Sequence, residues 1–162
     1  MISLKNKQSG FTIVELLIVI VVIGILAALV VTTFSGIQQK GRDTERETDI
    51  KAIHGQLEAY YAQNGTYPLL ADVNSQAWRS GSGAGEGNMK GLDNEALRDP
   101  KAAVGAFTLA GSPATAVYSY QVFEANGTTN CTTAANCVKY TLTATLEGQI
   151  NSSSTYVKSS LN

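Results

Sequence analysis

From Phe11 to Val31 the chain reads FTIVELLIVIVVIGILAALVV, an apolar run broken only by Thr12, Glu15 and Gly24. No face of a helix built from it is polar, so burial against one side of a soluble core does not account for it. Twenty-one residues at the helical rise make about 31 Å, the hydrocarbon thickness of a bilayer, and the run is read as a membrane span. Beyond it the periodicity changes. Ile37, Ile50, Ile53, Leu57 and Tyr60 or Tyr61 recur at spacings of three, four or their multiples, which is one amphipathic stripe. Asn64-Gly65 is a helix-ending signal and Pro68 forbids resumption nearby. The two stretches together predict one helix of about 53 residues, about 80 Å long.

The rest of the chain is patterned differently. Residues 69–103 read as loop, with five glycines among the twelve residues Ser80 to Gly91 but no phosphate-cradling spacing. Three strand patterns follow, over residues 104–109, 116–124 and 138–146. In the second, Tyr118, Tyr120 and Val122 fall on one side; in the third, Val138, Tyr140, Leu142, Ala144 and Leu146 alternate with Lys139, Thr141, Thr143 and Thr145. Period two with one polar face predicts an antiparallel sheet with one wet side. Its apolar face needs a cover, and the available amphipathic helix is the one ending near residue 63. The expected fold class is α+β: a long N-terminal helix whose second half packs on a small antiparallel sheet. The Ser/Thr-rich tail, 151–162, adds an edge strand around residues 155–157 or stays loose.

Composition sharpens this division. Of the roughly 71 hydrophobic residues, 18 lie in residues 11–31, which leaves about 38% for the remainder. Disorder is excluded by the apolar content and a net charge of -1. Twelve Lys and Arg against 13 Asp and Glu give no basic surface for nucleic acid. Between Gln8 and Gln39 the one charged side chain is Glu15, while Lys5 and Lys7 ahead of the span have no acid beside them. By the positive-inside rule the N-terminal stub stays in the cytoplasm and everything beyond residue 31 crosses the membrane. A cleaved secretory signal would have a shorter apolar core, no acid inside it and a better small-residue site than Ala27-Ala28. A plain signal anchor fits the span, but a carboxylate in mid-membrane costs about 2.5–3.5 kcal/mol, somewhat less near the end, and an anchor has no use for it.

The order Lys5-x-Lys7-x-x-Gly10, then Phe11-Thr12-Ile13-Val14-Glu15-Leu16-Leu17, then the apolar run, resembles the class III leader of type IV pilins and type II secretion pseudopilins. The phrase from Leu57 through Tyr60-Tyr61 and Asn64-Gly65 to Tyr67-Pro68 resembles the end of the same family's helix. The resemblance implies that prepilin peptidase cuts after Gly10 and that the new amino terminus, Phe11, is methylated. It implies four regions: a leader, 1–10; a transmembrane and filament-core helix, 11–34; an amphipathic second half of the spine, 35–64; and a globular sheet domain, 65–162. Many pilins carry a proline in the apolar segment and this chain does not. Glu15 has a physical role under this reading. Cleavage creates a cationic amine at Phe11 beside an apolar core, and a carboxylate on a neighbouring subunit neutralises it and fixes the axial register.

Other chemistry is sparse. Residues 40–51 hold eight charges whose signs nearly cancel, read either as a solvated helix face, with Arg42 and Arg46 opposed and Glu47 and Lys51 attractive, or as complementary contacts between stacked subunits. Asp93, Glu95 and Asp99 read as a solvated acidic turn rather than a calcium loop. Cys131 and Cys137 close a seven-residue ring in an exported domain and are read as a disulfide worth about 2–2.5 kcal/mol by loop entropy. No metal site is indicated. His54, the single histidine, sits beside Ile53 and Leu57 as a half-exposed structural residue, and no nucleophile motif surrounds a serine, so no enzyme activity and no cofactor are expected.

The expected function is that of a structural pilin of a type IV pilus-like surface filament, serving motility, adhesion or DNA uptake. The alternatives are a pseudopilin of a type II secretion or competence apparatus, and a signal-anchored binding domain that never polymerises. Expected partners are copies of itself and other pilins, prepilin peptidase, an inner-membrane assembly platform, and the membrane before assembly. Its expected location is the cytoplasmic membrane, N-terminus inside, and then the extracellular pilus. Loss of Lys5 and Lys7 takes the balance to 10 basic against 13 acidic side chains, or -3.

Overall fold

The computed structural model describes residues 10–81, 87–150 and 152–162. Residues 1–9, with Lys5 and Lys7 of the expected leader, and the middle of the glycine-rich stretch lie outside the described residues. The chain forms two units, Met1–Gln38 and Gln39–Asn162, taken in turn below.

Helix α1 runs from Ile13 to Asn64. In the first unit the described large apolar side chains along it between Phe11 and Ile37 are each at least 47% exposed, on all sides of the helix. By length and composition it can cross a membrane. Ile37, placed by periodicity in the buried stripe, belongs instead to this exposed surface.

In the second unit the helix buries Ile50, Ile53 and Leu57 completely, the i, i+3, i+7 positions of one face. It stops at Gly65, whose φ of +72° suits the left-handed residue that closes a helix and whose N–H donates to the Tyr61 carbonyl at 2.7 Å. The buried face joins a three-stranded antiparallel sheet: β1, Ser119–Phe123; β2, Lys139–Ile150; β3, Ser153–Ser159, in the order β1-β2-β3. Alternation works as expected. Tyr120 pairs with Leu142 and Val122 with Tyr140, and all four face the core, while Gln121 and Thr141 take the opposite face. The tail does add an edge strand, longer than the few residues expected, and its pairing with β2 is irregular between Thr145 and Ile150.

The core is rich in tyrosine. Tyr67 and Tyr140 meet edge to face at 4.6 Å and Tyr61 stacks on Tyr67 at 4.5 Å. The buried tyrosine hydroxyls have partners, as burial demands: Tyr118 donates to Asp49 at 2.7 Å, Tyr120 to the Pro68 carbonyl at 2.8 Å and Tyr140 to Glu58 at 2.8 Å.

Two expectations fail here. Residues 69–103 are not simply loop, for they contain two short helices, α2 (Leu70–Asn74) and α3 (Gln76–Ser80), and a 3₁₀ turn at Asn94–Leu97. Buried Arg79 ties them together through the Val73 carbonyl and Asn94 Oδ1. Residues 104–109 form no strand. Gly105 has a φ of +84°, which turns the chain, and Val104 is 96% exposed. Extended pairing begins only at Ala110, which exchanges hydrogen bonds with Tyr118 and Tyr120 on the outer edge of β1.

Leu57 fills the space between helix and sheet, so Leu57→Ala should cost about 2–5 kcal/mol. Chemical denaturation of the detergent-solubilised chain, followed by tyrosine fluorescence, measures it.

Candidate functional site

The start of α1 is a built structure. Thr12 precedes the first helical residue, and its Oγ1 accepts the Glu15 N–H at 3.2 Å. Glu15 Oε2 in return accepts the Thr12 N–H and the Thr12 hydroxyl, each at 2.9 Å. This is a reciprocal capping box, which satisfies donors that a helix start otherwise leaves open. The carboxylate lies in the first turn, where the helix dipole favours it. Phe11, immediately before this box, is 86% exposed. The signal Thr-x-x-Glu is present in the sequence; reading Glu15 only for its charge overlooked it.

Glu15 therefore has a local partner in the single chain, and the capping box holds it one turn from Phe11. What the geometry offers chemically is a fixed carboxylate at the head of an exposed apolar helix. A second feature of the same helix is an apolar hollow lined by Leu26, Leu29, Val30, Thr33, Phe34 and Ile37.

In the second unit the charged stretch 40–51 is not a plain solvated face. Asp43 and Arg46 are buried. The Arg46 guanidinium makes a two-toothed contact with Asp99, Nε to Oδ2 at 2.7 Å and Nη2 to Oδ1 at 3.0 Å, and its Nη1 reaches Asp43 at 2.7 Å and Glu147 at 3.0 Å. Arg42, expected to oppose Arg46, grips both oxygens of Glu147 at 2.6 Å, and Lys101 adds a third contact at 2.9 Å. Asp43 also accepts the N–H groups of Glu147 and Gly148. Three cations thus meet three anions, and the segments carrying Asp99 and Glu147 cover the helix face. Asp99 is 1% exposed, which corrects the solvated reading for that residue, while Asp93 and Glu95 are exposed as expected. The exposed remainder of the stretch does behave as expected, with Lys51 on Glu47 at 3.0 Å.

These contacts set the acidities. Hydrogen bonding from Arg42, joined by Lys101 and Arg46, holds the Glu147 carboxyl far below its usual range despite partial burial. Burial pushes Asp43 up, but the two backbone N–H groups and Arg46 win and hold it low. Asp49 goes the other way. Burial raises it to about 6, aided by Glu45 and Asp99, against the Tyr118 hydrogen bond.

His54 is half-buried, its Nδ1 2.5 Å from the Tyr140 hydroxyl. Since that hydroxyl donates to Glu58, Nδ1 supplies the proton between them. Cys131 and Cys137 are bonded, with Cα atoms 5.5 Å apart. Among the described residues there is no cluster of three or more metal-ligating side chains.

The family model described as the prokaryotic N-terminal methylation motif matches residues 5–31. Over two fifths of its length the chain is similar to the type II secretion system core protein G of Aeromonas hydrophila, 42% identical over 64 residues, which are 40% of this chain and 45% of that protein. The core protein G of Escherichia coli is 41% identical over 63 residues, 39% of this chain and 43% of its own. The type IV major pilin protein PilA of Myxococcus xanthus is 32% identical over 66 residues, 41% of this chain and 30% of its own. The match thus spans less than half of these relatives. No solved structure matches the chain. The chain carries the N-terminal methylation motif and is related through it to type IV pilins and type II secretion pseudopilins. The helix and sheet described above are the pilin kind of α+β fold.

Removing Arg46 takes the paired guanidinium from the deeply buried Asp99 and Asp43, while Glu147 keeps Arg42 and Lys101. Arg46→Ala should destabilise the domain by about 3–5 kcal/mol, read as a loss of melting temperature. The acidities predict a stability maximum at mildly acid pH. A raised carboxyl penalises the fold fully above its folded value, so the Asp49 penalty is relieved as pH falls from about 6 toward its ordinary 3.8. Lowered carboxyls act oppositely, and the contribution of Glu147 fades as pH drops below its ordinary 4.5. Asp49→Asn should flatten the profile between these limits while leaving the acid limb, which melting curves across the pH range test directly.

Proposed function

We propose that this chain is the structural subunit of a type IV pilus-like filament, polymerised through the apolar half of α1. The observation that carries the reading is a helix apolar on every side and headed by a capped glutamate, directly after the Gly10-Phe11 junction of the methylation motif. Burying such a surface yields about 25 cal/mol per Å² of apolar area. Two environments remove it from water: the bilayer before assembly and neighbouring helices after it.

In this reading prepilin peptidase cuts after Gly10, Phe11 is methylated, and the chain waits in the cytoplasmic membrane with its N-terminus inside. An inner-membrane platform then moves it into a filament of its own copies and other pilins. The amine at Phe11 meets the Glu15 carboxylate of a subunit already in place. Aliphatic contacts alone leave axial position loose, whereas a charge pair in an apolar setting is strongly unfavourable when out of register. The subunit does no chemistry of its own.

A second reading shares this assembly step. Core protein G of type II secretion systems recurs among the relatives, and a pseudopilin of a secretion apparatus would use the same helix in a shorter fibre.

Glu15→Gln separates the two jobs of Glu15, because glutamine preserves a capping box and removes the charge. The expected result is a membrane-inserted protein beginning at Phe11 by mass spectrometry, with filament yield in sheared fractions reduced at least tenfold. Normal filament yield from this variant would sink the register role, and a retained leader in the native protein would sink the filament reading.

A further inference from the structure

The turn after β1 is built around Asn126, in the sequence Glu124-Ala125-Asn126-Gly127-Thr128. Asn-x-Thr is the acceptor pattern for transfer of a glycan to an asparagine amide, and here a carboxylate, Glu124, stands two residues ahead of it. The chain has four such Asn-x-Ser/Thr triplets, at Asn64, Asn126, Asn130 and Asn151. The positions two ahead of the other three are Ala62, Thr128 and Gln149.

The structure separates them further. Asn64 is the last residue of α1 and its Nδ2 donates to the Tyr60 carbonyl at 2.9 Å. Asn130 is bridged to Phe123, and the central residue of its triplet, Cys131, is held by the disulfide and by its N–H to Val122. Asn151 lies outside the described residues. Asn126 and Thr128 are exposed, as Asn64 and Asn130 also are, but they lie at the tip of a turn, where Gly127 has a φ of +72° and its N–H closes on the Glu124 carbonyl at 2.9 Å.

The amide at the tip is already polarised. Asn126 Oδ1 accepts the N–H groups of Thr128 at 3.0 Å and Thr129 at 2.9 Å, and Nδ2 donates to Thr129 Oγ1 at 2.7 Å. Two donors on the carbonyl oxygen stabilise the charge that builds there as Nδ2 gives up a proton.

We propose that Asn126 is an N-glycosylation site, modified from a sugar carried on a polyisoprenyl diphosphate. Nδ2 attacks the anomeric carbon, the carbon–oxygen bond to the diphosphate breaks, and the diphosphate leaves with the electron pair. The Nδ2 proton passes to a base on the transferase, and a carbon–nitrogen bond joins sugar to protein with no change of oxidation state. The inference rests on the reading that the sheet domain is exported, since lipid-linked donors are used on the outer side of the membrane.

Tryptic peptide 102–139, from protein isolated from its own cells, contains Asn126 and ends at Lys139. Its mass should exceed the sequence mass by whole sugar residues. The increment should vanish in Asn126→Gln and in Thr128→Ala and persist in Thr128→Ser. A peptide of unmodified mass in the native protein, or an increment that survives Asn126→Gln, overturns the site. The N-terminal peptide in the same digest keeps the two readings apart. A chain that starts at Phe11 with peptide 102–139 unmodified loses the glycan and keeps the filament; a retained leader loses the filament whatever the mass of peptide 102–139.

Discussion

The folded domain depends on one guanidinium. Arg46 is 1% exposed and would be ruinously placed alone, since an unpaired ion in a protein interior costs several kcal/mol. It is held by Asp99, Asp43 and Glu147, which come from a loop, from the helix itself and from the far end of β2. Because Arg42 and Lys101 share Glu147, the cluster is neutral as a whole. Its value lies in specificity as much as stability. The apolar stripe of Ile50, Ile53 and Leu57 could slide along a sheet at modest cost, but a fork of fixed geometry matched to carboxylates on two other segments permits one register.

The other half of α1 poses the opposite problem. Its surface is apolar all round and its described large side chains are exposed, so its stability is a property of surroundings rather than of the fold. The capping box at Thr12 and Glu15 makes that half a defined helix from its first turn. It also keeps the single carboxylate of the apolar segment hydrogen-bonded while it waits. One residue thus serves a helix start and, on the proposed function, the contact between subunits. The two roles are compatible because a carboxylate has more acceptor sites than Thr12 uses.

Much of this was legible beforehand. The span, the helix end at Gly65, the alternation that brings Tyr120, Val122, Tyr140 and Leu142 to one face, and the α+β class all follow from short-range periodicity and turn chemistry. The misreadings share a cause. Asp43, Arg46 and Asp99 looked like surface charges, because acidic and basic residues at short intervals on a helix or turn usually are. The partners that bury Arg46 are 53 and 101 residues away in the chain. Residues 104–109 had the apolar content of a strand, but Gly105 turns the chain there. The capping box at Thr12 is local, and its signal is the Thr-x-x-Glu spacing itself.

By itself, then, the sequence determined where the helix starts and stops, which of its halves is soluble in lipid and which in water, and which faces of β1 and β2 are apolar. Local patterns suffice for these, because helix and strand periods and cap chemistry act over a few residues. Only the tertiary structure decided which charges are buried, which carboxyl is pushed up and which is held down, that the tail pairs as β3, and that Asn126 sits at the tip of an exposed turn. Each of these depends on what covers a surface, and that is fixed by segments distant in sequence meeting in space.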